Sequence, residues 1–138
     1  ISLHRTNFTT VSVARSGMPA AIGSLTWVGL AAPHATCFVP IYAGVTSLPD
    51  SYNAGRRGSD YDVFSRESAW WAFNVVENYA NVKYSYMIED IKAMQNKYES
   101  EFFAMQPIIE TIINIFSHPL FCAFLNKYNS KDLKKVLA

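Results

Sequence analysis

The spacing of apolar residues changes once along this chain, from the alternation typical of β-strands to the three- and four-residue spacing typical of helices. Before residue 43 the apolar residues form short runs rich in β-branched and aromatic side chains, and from Ala69 onward they recur on one side of a helix. Strands followed by helices are typical of an α+β protein, whereas alternating strands and helices would indicate an α/β one. We therefore predict the fold class α+β, with antiparallel strands followed by C-terminal helices.

Three runs before residue 43 have the composition of strands. The predicted strands are residues 1–14, 24–32 and 36–42. Short turns join them, which favours a three-stranded antiparallel meander with the Trp27 strand in the centre. Because proline cannot donate to a β-ladder, Pro40 predicts that the third strand lies at an edge, carries a bulge or is short there.

The rest of the chain is predicted to be a long loop followed by helices. The loop spans residues 43–66, and the helical part spans 67–138. Pro107 should kink a helix or start a new one, since it removes one helical N–H. The predicted helices are Ala69 to Val82, with Ser65 or Ser68 as its cap, Tyr84 to about Met105, a continuation to Phe116, and Leu120 to about Ala138.

Composition excludes several classes of function. The 138 residues, half of them apolar, are enough for one globular domain. Twelve basic and eleven acidic residues give a net charge of +1, so we expect no nucleic-acid partner. No apolar run approaches the roughly 18 residues of a membrane span. The three histidines are scattered and no paired-cysteine motif occurs, so we predict neither a metal site nor a cofactor.

The two cysteines and one sequon bear on compartment and reactivity. Cys37 and Cys122 lie among apolar neighbours, which predicts buried free thiols; a disulfide between them and a Cys37–His34 nucleophile pair are the alternatives. Asn7 begins an Asn-Phe-Thr sequon that fits a lysosomal or secreted protein. An unglycosylated asparagine in a cytoplasmic protein is the other interpretation.

The densest polar group of the strand region is His4-Arg5-Thr6-Asn7. A guanidinium on a strand at a cleft is well shaped to hold a carboxylate with two hydrogen bonds. We therefore name His4, Arg5 and Asn7 as candidate substrate-binding residues. An exposed sheet face or a structural ion pair would explain the same residues without a ligand.

Three segments taken in order resemble the dipeptidase-A family of N-terminal-nucleophile (Ntn) cysteine hydrolases, which is related to the secernins. They are ISLHRTNFTTVSVAR, IGSLTWVGLAAPHATCFVPIYAGV and SRESAWWAFNVVENYANVKYSYMIEDI, and the resemblance covers roughly residues 1 to 92. The resemblance implies an αββα sandwich of two antiparallel sheets covered by helices. Residues 1–138 would be the C-terminal portion of that single domain.

The resemblance also implies a mechanism in which an N-terminal cysteine attacks a peptide or amide carbonyl and its own α-amino group is the base. Residue 1 is Ile, so neither Cys37 nor Cys122 matches that nucleophile, and we expect no catalytic residue in this chain. A strand-like start at Ile1 suggests a piece of a larger protein, so we expect a partner chain or segment that carries the cysteine. We also expect an oligomer with a large apolar interface.

Three functions remain open at this point. The first is a dipeptidase-like peptidase that is inactive without its partner segment. The second is an Ntn amidase or lipid hydrolase with another substrate. The third is a catalytically inactive Ntn-fold subunit that serves as a structural or interaction component.

Overall fold

The computed structural model describes residues 2–54 and 63–115, with side chains described as far as Ile113. A three-stranded antiparallel sheet is followed by helices, which confirms the predicted fold class α+β. The elements in chain order are β1 (Phe8–Ala14), α1 (Ala20–Gly23), β2 (Ser24–Leu30), β3 (Val39–Tyr42), α2 (Asp50–Asn53), α3 (Ala69–Val82) and α4 (Tyr84–Ile115).

The sheet is the predicted meander. β2 lies in the centre, with β1 on one side and β3 on the other. β1 is paired from Phe8 opposite Leu30 to Ala14 opposite Ser24. β3 is shorter and ends with Tyr42 opposite Leu25.

Pro40 lies in an edge strand of the described sheet, opposite Trp27. The N–H of Ala43 donates to the carbonyl of Ser24 at 3.0 Å. Because successive residues of a strand turn their backbone groups to opposite sides, the nitrogen of Pro40 then faces away from β2. The missing N–H therefore removes no bond from the β2–β3 ladder.

The first strand is shorter than predicted, because β1 begins at Phe8 rather than at residue 1. The N–H of Thr6 donates to the carbonyl of Leu3 at 3.1 Å, so His4 and Arg5 lie in a turn and not in a strand. Four consecutive polar residues offer no apolar side chain for either face of a sheet, which favours the turn.

β2 and β3 are also shorter than predicted, each at the end that leads into the connection between them. β2 ends at Leu30 because Ala31 has a φ of +71°, in the left-handed region, which turns the chain out of the sheet. β3 begins only at Val39. Residues 31–38, here called the β2–β3 loop, bond to helix side chains instead of to a neighbouring strand.

The two long helices follow the prediction closely. α3 has the predicted bounds, and its first turn is capped by the Ser68 hydroxyl, which accepts from the Trp71 N–H at 3.4 Å. α4 runs through Pro107 as one helix to Ile115, so a new helix at Pro107 was a wrong expectation. Phe102 and Ile109 are buried on either side of the proline, and this packing holds the helix together across the lost hydrogen bond.

The predicted loop over 43–66 contains the short helix α2, and its residues 55–62 lie outside the described part of the chain. The helix predicted from Leu120 onward and the helix end predicted near Pro119 also lie outside the described residues.

The hydrophobic core lies between the sheet and α4, whereas β1 is largely exposed. Central to the core are Ile22, Leu25, Trp27, Tyr42, Phe73, Tyr98, Phe102, Ile109 and Ile113. Phe8 is 65 % exposed and Val11 is 52 % exposed, on opposite faces of β1. Of the helices in the described ranges, none is long and apolar enough to cross a membrane.

Candidate functional site

A cleft opens where the start of β1 lies beside the end of β2. Its volume is about 690 Å³, within the usual range for small-ligand sites of roughly 300–1,000 Å³. Aromatic side chains and amide groups both face it, which suits a ligand with an apolar part and hydrogen-bonding groups. The cleft is lined by Asn7, Phe8, Leu30, Leu48, Ser51, Tyr52, Asn53, Ala54 and Trp70.

Local hydrogen bonds set the walls of the cleft. The pairing of Phe8 with Leu30 brings β1 and β2 together at its floor. The Ser68 hydroxyl donates to the carbonyl of Ala54 at 3.5 Å while it caps α3, so α2 and the start of α3 are tied to each other. This hydrogen bond holds the start of α3 in place, and Trp70 then lines the cleft together with Phe8 and Leu30.

Tyr52 is the one cleft residue with a buried polar atom that lacks a partner among the described residues. Burial, and after it the nearby Cys37, raise the pKa of the Tyr52 phenol well above its usual value. The phenol is therefore a neutral hydroxyl near neutral pH. It has both a donor and two acceptor positions unused.

The three predicted substrate-binding residues fall into two groups. Asn7 lines the cleft, and its carbonyl accepts from the Ala31 N–H at 2.8 Å. His4 and Arg5 are exposed in the preceding turn and do not line the cleft. Their role in binding stays a prediction.

Two side chains of α4 hold the far end of the β2–β3 loop. The Gln95 amide donates to the carbonyl of Thr36 at 2.6 Å, and the Glu99 carboxylate accepts from the Phe38 N–H at 2.9 Å. Backbone groups that have left the sheet would otherwise be buried without partners. These two residues therefore fix the loop to α4.

A third anchor comes from α3. The Glu77 carboxylate, only 3 % exposed, accepts from the Ala32 N–H at 3.1 Å. Sequence analysis did not identify Glu77, Gln95 or Glu99 as anchors. The available signal was the position of Glu77 on the same helical face as Phe73, because a carboxylate on an apolar face requires a partner.

Cys37 lacks the environment of a nucleophile. It is a buried free thiol, as predicted, and burial followed by the charge of Glu99 raises its pKa to about 12. The thiolate is the reactive form, so at neutral pH this thiol is inert. The His34 ring bonds to the Ser2 hydroxyl at 2.7 Å, which does not support a Cys37–His34 pair. Cys122 and its disulfide alternative lie outside the described residues.

A second polar cluster lies at the other end of β1. The Glu110 carboxylate accepts from Arg15 at 2.5 Å, Gln106 at 3.0 Å and Tyr42 at 3.1 Å. Burial acts to raise the pKa of Glu110, but the hydrogen bonds from Arg15 and Gln106 outweigh it and hold that pKa below its ordinary value. A carboxylate with all these donors is held as a structural anion rather than poised as a base.

Metal chemistry has no visible site in the part of the chain that the structure describes. Residues 2–54 and 63–115 contain no group of three His, Cys, Asp or Glu side chains that could hold a metal ion. Around the cleft the structure brings together hydrogen-bonding groups and aromatic surfaces, the kinds of group that line small-molecule sites.

Comparison with known proteins gives a family but no named relative. No curated protein matches the chain. The model of the family described as Peptidase family C69 matches residues 1–97, which include the sheet, the cleft, α3 and the first part of α4. This agrees with the resemblance to the dipeptidase-A cysteine peptidases, so the chain belongs to peptidase family C69.

Proposed function

We propose that this chain forms the scaffold and part of the substrate-binding surface of a dipeptidase-like Ntn cysteine hydrolase. The observation that carries the proposal is the family match over residues 1–97. Peptidases of this kind cleave peptide bonds, so the expected ligand of the cleft is a peptide with an apolar side chain directed towards Phe8 and Trp70.

The nucleophile in this proposal is an N-terminal cysteine on a partner chain or segment. Its thiol adds to the carbonyl carbon of the peptide bond, and its α-amino group accepts the thiol proton and passes it to the leaving amine. Water then hydrolyses the thioester, which releases the carboxylic acid and restores the thiol. The buried, protonated state of Cys37 supports a nucleophile elsewhere.

The open edge of β1 is the structural feature that supports a partner segment in this proposal. The carbonyl of Asn7 accepts from the Ala31 N–H, and the N–H of Arg15 donates to the carbonyl of Gly23 at 2.7 Å. The backbone N–H and C=O groups of odd-numbered residues therefore point towards β2. The backbone groups of even-numbered residues therefore point to the open edge. No charged residue or proline protects this edge between Phe8 and Ala14, and unprotected edges pair with further strands. An additional strand there would extend the sheet towards the αββα architecture of Ntn hydrolases.

His4 and Arg5 belong to this proposal as groups near the start of the cleft wall. Arg5 would hold the carboxylate of a dipeptide, since a guanidinium matches a carboxylate in shape and charge. Its exposed position in a turn leaves the side chain accessible to a ligand.

The test uses the protein as purified from its complete gene. Intact mass and N-terminal sequencing should show a polypeptide that begins with Cys, and dipeptides should be hydrolysed faster than acylated amides or lipid esters. Arg5→Gln should raise KM or abolish turnover, whereas Arg66→Gln, at another exposed arginine, should leave the kinetics unchanged. Equal kinetics for the two variants would remove Arg5 from the site.

A catalytically inactive subunit is the second candidate, because the inert thiol of Cys37 is equally consistent with an assembly that has no nucleophile at all. It predicts that no polypeptide in the preparation begins with Cys, Ser or Thr. Faster hydrolysis of acylated amides or lipid esters would support the amidase or lipid-hydrolase alternative instead.

The sequon at Asn7 gives a further distinction. A glycan on the Asn7 side chain would occupy the mouth of the cleft, because Asn7 lines it. Glycosylation in a lysosomal or secreted protein and substrate binding by Asn7 are therefore mutually exclusive. A mass decrease on treatment with a peptide:N-glycosidase would remove Asn7 from the substrate site.

A further inference from the structure

The Glu77 carboxylate is buried with only one of its two oxygens bonded. Oε2 accepts from the Ala32 N–H at 3.1 Å, and Oε1 has no partner among the described residues. A glutamate that is 3 % exposed has lost its hydration. A buried carboxylate oxygen without a hydrogen-bond partner destabilises the folded state, so Glu77 is an unfavourable choice if its only role is to accept one N–H.

The residue next to this bond is strained. Ala31 is fully buried and has a φ of +71°, a conformation that only glycine adopts without cost. Its N–H donates to the carbonyl of Asn7 at 2.8 Å. Glu77 is therefore connected to Asn7 at the edge of the cleft by two hydrogen bonds, one to Ala32 and one from its neighbour Ala31.

Both unfavourable features lie within one residue of each other and adjoin the cleft. Strained backbone and unsatisfied buried groups persist where the surrounding structure requires them, and they are concentrated at functional sites. A purely structural turn at this point could be built with a glycine at position 31 and no buried charge. The arrangement thus favours a requirement for one particular geometry at Asn7.

We propose that Glu77 is a positioning residue for the cleft: its carboxylate holds the left-handed turn at Ala31, and this turn fixes Asn7 against the bound peptide. This inference rests on the proposed peptidase function. Glu77 itself does not line the cleft, so it acts through the backbone and not by contact with the ligand.

The chain offers a matched control for this role. Glu99 also accepts a bond from a backbone N–H of the β2–β3 loop, from Phe38 at 2.9 Å. That bond lies at the opposite end of the loop from Ala31, and no hydrogen bond within residues 2–54 and 63–113 connects it to Asn7. Loss of either carboxylate weakens the attachment of the loop, but only loss of Glu77 should move Asn7.

The experiment measures steady-state kinetics of the assembled enzyme with a dipeptide. Glu77→Leu should raise KM at least about tenfold with kcat nearly unchanged, because a misplaced contact weakens binding. Glu99→Leu should change KM by less than about threefold. Glu77→Gln keeps an acceptor oxygen and should stay within about threefold of the native KM, and Ala31→Gly should restore KM in the Leu variant because glycine adopts the turn freely.

Equal effects of Glu77→Leu and Glu99→Leu, or an unchanged KM in the former, would overturn the positioning role. If Glu77→Leu does not fold, Glu77→Asp replaces it, since the shorter side chain withdraws the acceptor from Ala32 without removing the charge. An unchanged KM in that variant would overturn the role as well.

Asn7→Ala separates this inference from the proposed function. A raised KM for Asn7→Ala with a native KM for Glu77→Leu, or for Glu77→Asp where it replaces that variant, would reject the positioning role alone. A native KM for Asn7→Ala would reject both the positioning role and the place of Asn7 in the site. Absence of peptide hydrolysis from an assembly with an N-terminal cysteine would reject the peptidase function itself.

Discussion

Glu110→Gln tests how strongly the polar cluster at the end of β1 joins α4 to the sheet. The Glu110 carboxylate accepts from three side chains, the closest being Arg15 at 2.5 Å. The side chains of Arg15 and Glu110 are 23 % and 15 % exposed, so water screens the pair only in part. The Arg15 guanidinium also donates to the carbonyl of Ile22 at 2.7 Å and would keep that bond in the variant.

The expected loss of stability lies between two limits. Exposed ion pairs contribute about 0–1 kcal/mol, and breaking a fully buried pair costs about 3–5 kcal/mol. The glutamine amide oxygen still accepts one bond, so we expect Glu110→Gln to lower the free energy of unfolding by about 2 kcal/mol. This corresponds to a roughly 30-fold change in the unfolding equilibrium. Glu89→Gln is the control, because Glu89 and Lys92 form an exposed pair at 3.6 Å, and it should cost less than about 0.5 kcal/mol.

The pH dependence follows from the lowered pKa of Glu110. A carboxylate with a lowered pKa in the folded state stabilises the protein above its unfolded pKa, and that contribution is lost as the pH falls through the folded pKa. Urea unfolding of the native protein and Glu110→Gln should therefore differ by a constant amount near neutral pH and converge below about pH 4. A cost equal to that of Glu89→Gln, or a difference that grows in acid, would refute the reasoning.

A substitution at Gly29 and the chemical reactivity of Cys37 both test the packing around the β2–β3 loop. Gly29→Ala should destabilise by about 1–3 kcal/mol in thermal unfolding, because the new Cβ would lie 2.6 Å from the Thr36 methyl and 3.2 Å from a Phe38 ring carbon; a native Tm would show that the loop yields freely. In a Cys122→Ala background, Cys37 should react with iodoacetamide roughly a thousandfold more slowly than an exposed thiol at about pH 8, because its pKa is about 12. Equal rates in native and urea-unfolded protein would contradict its burial.

The sequence predicted the central features of the fold because they depend on local patterns. The bounds of α3 were predicted correctly, since a serine cap precedes a run of helix-favouring residues. The meander followed from alternation and short turns. The predicted inner strand ends were wrong because they depend on tertiary contacts. Ala31 turns the chain out of the sheet, and Glu77 on α3 and Glu99 on α4 then accept the backbone N–H groups of the loop.

The candidate site was only partly predictable for the same reason. Polarity identified the segment around Asn7, and the structure places that one residue at the cleft. Tyr52 and Trp70 join it from segments far along the chain, where the sequence shows only turn residues and a helix start. The contact between distant segments is a property of the packed fold, and no local spacing encodes it.

The helices affect the cleft from behind the sheet. Glu77 on α3 bonds to the start of the β2–β3 loop, and Gln95 on α4 bonds to its later part at Thr36. The loop in turn bonds to the segment before β1 through Asn7. Ala31 and Ala32 are adjacent in the chain, so a change at Glu77 would reach Asn7 through them, whereas Gln95 holds the part of the loop that lies farther from Asn7. In the proposed peptidase, the position of Asn7 in the cleft therefore depends on a helix residue that does not line the cleft, and sequence signals for binding residues alone would miss it.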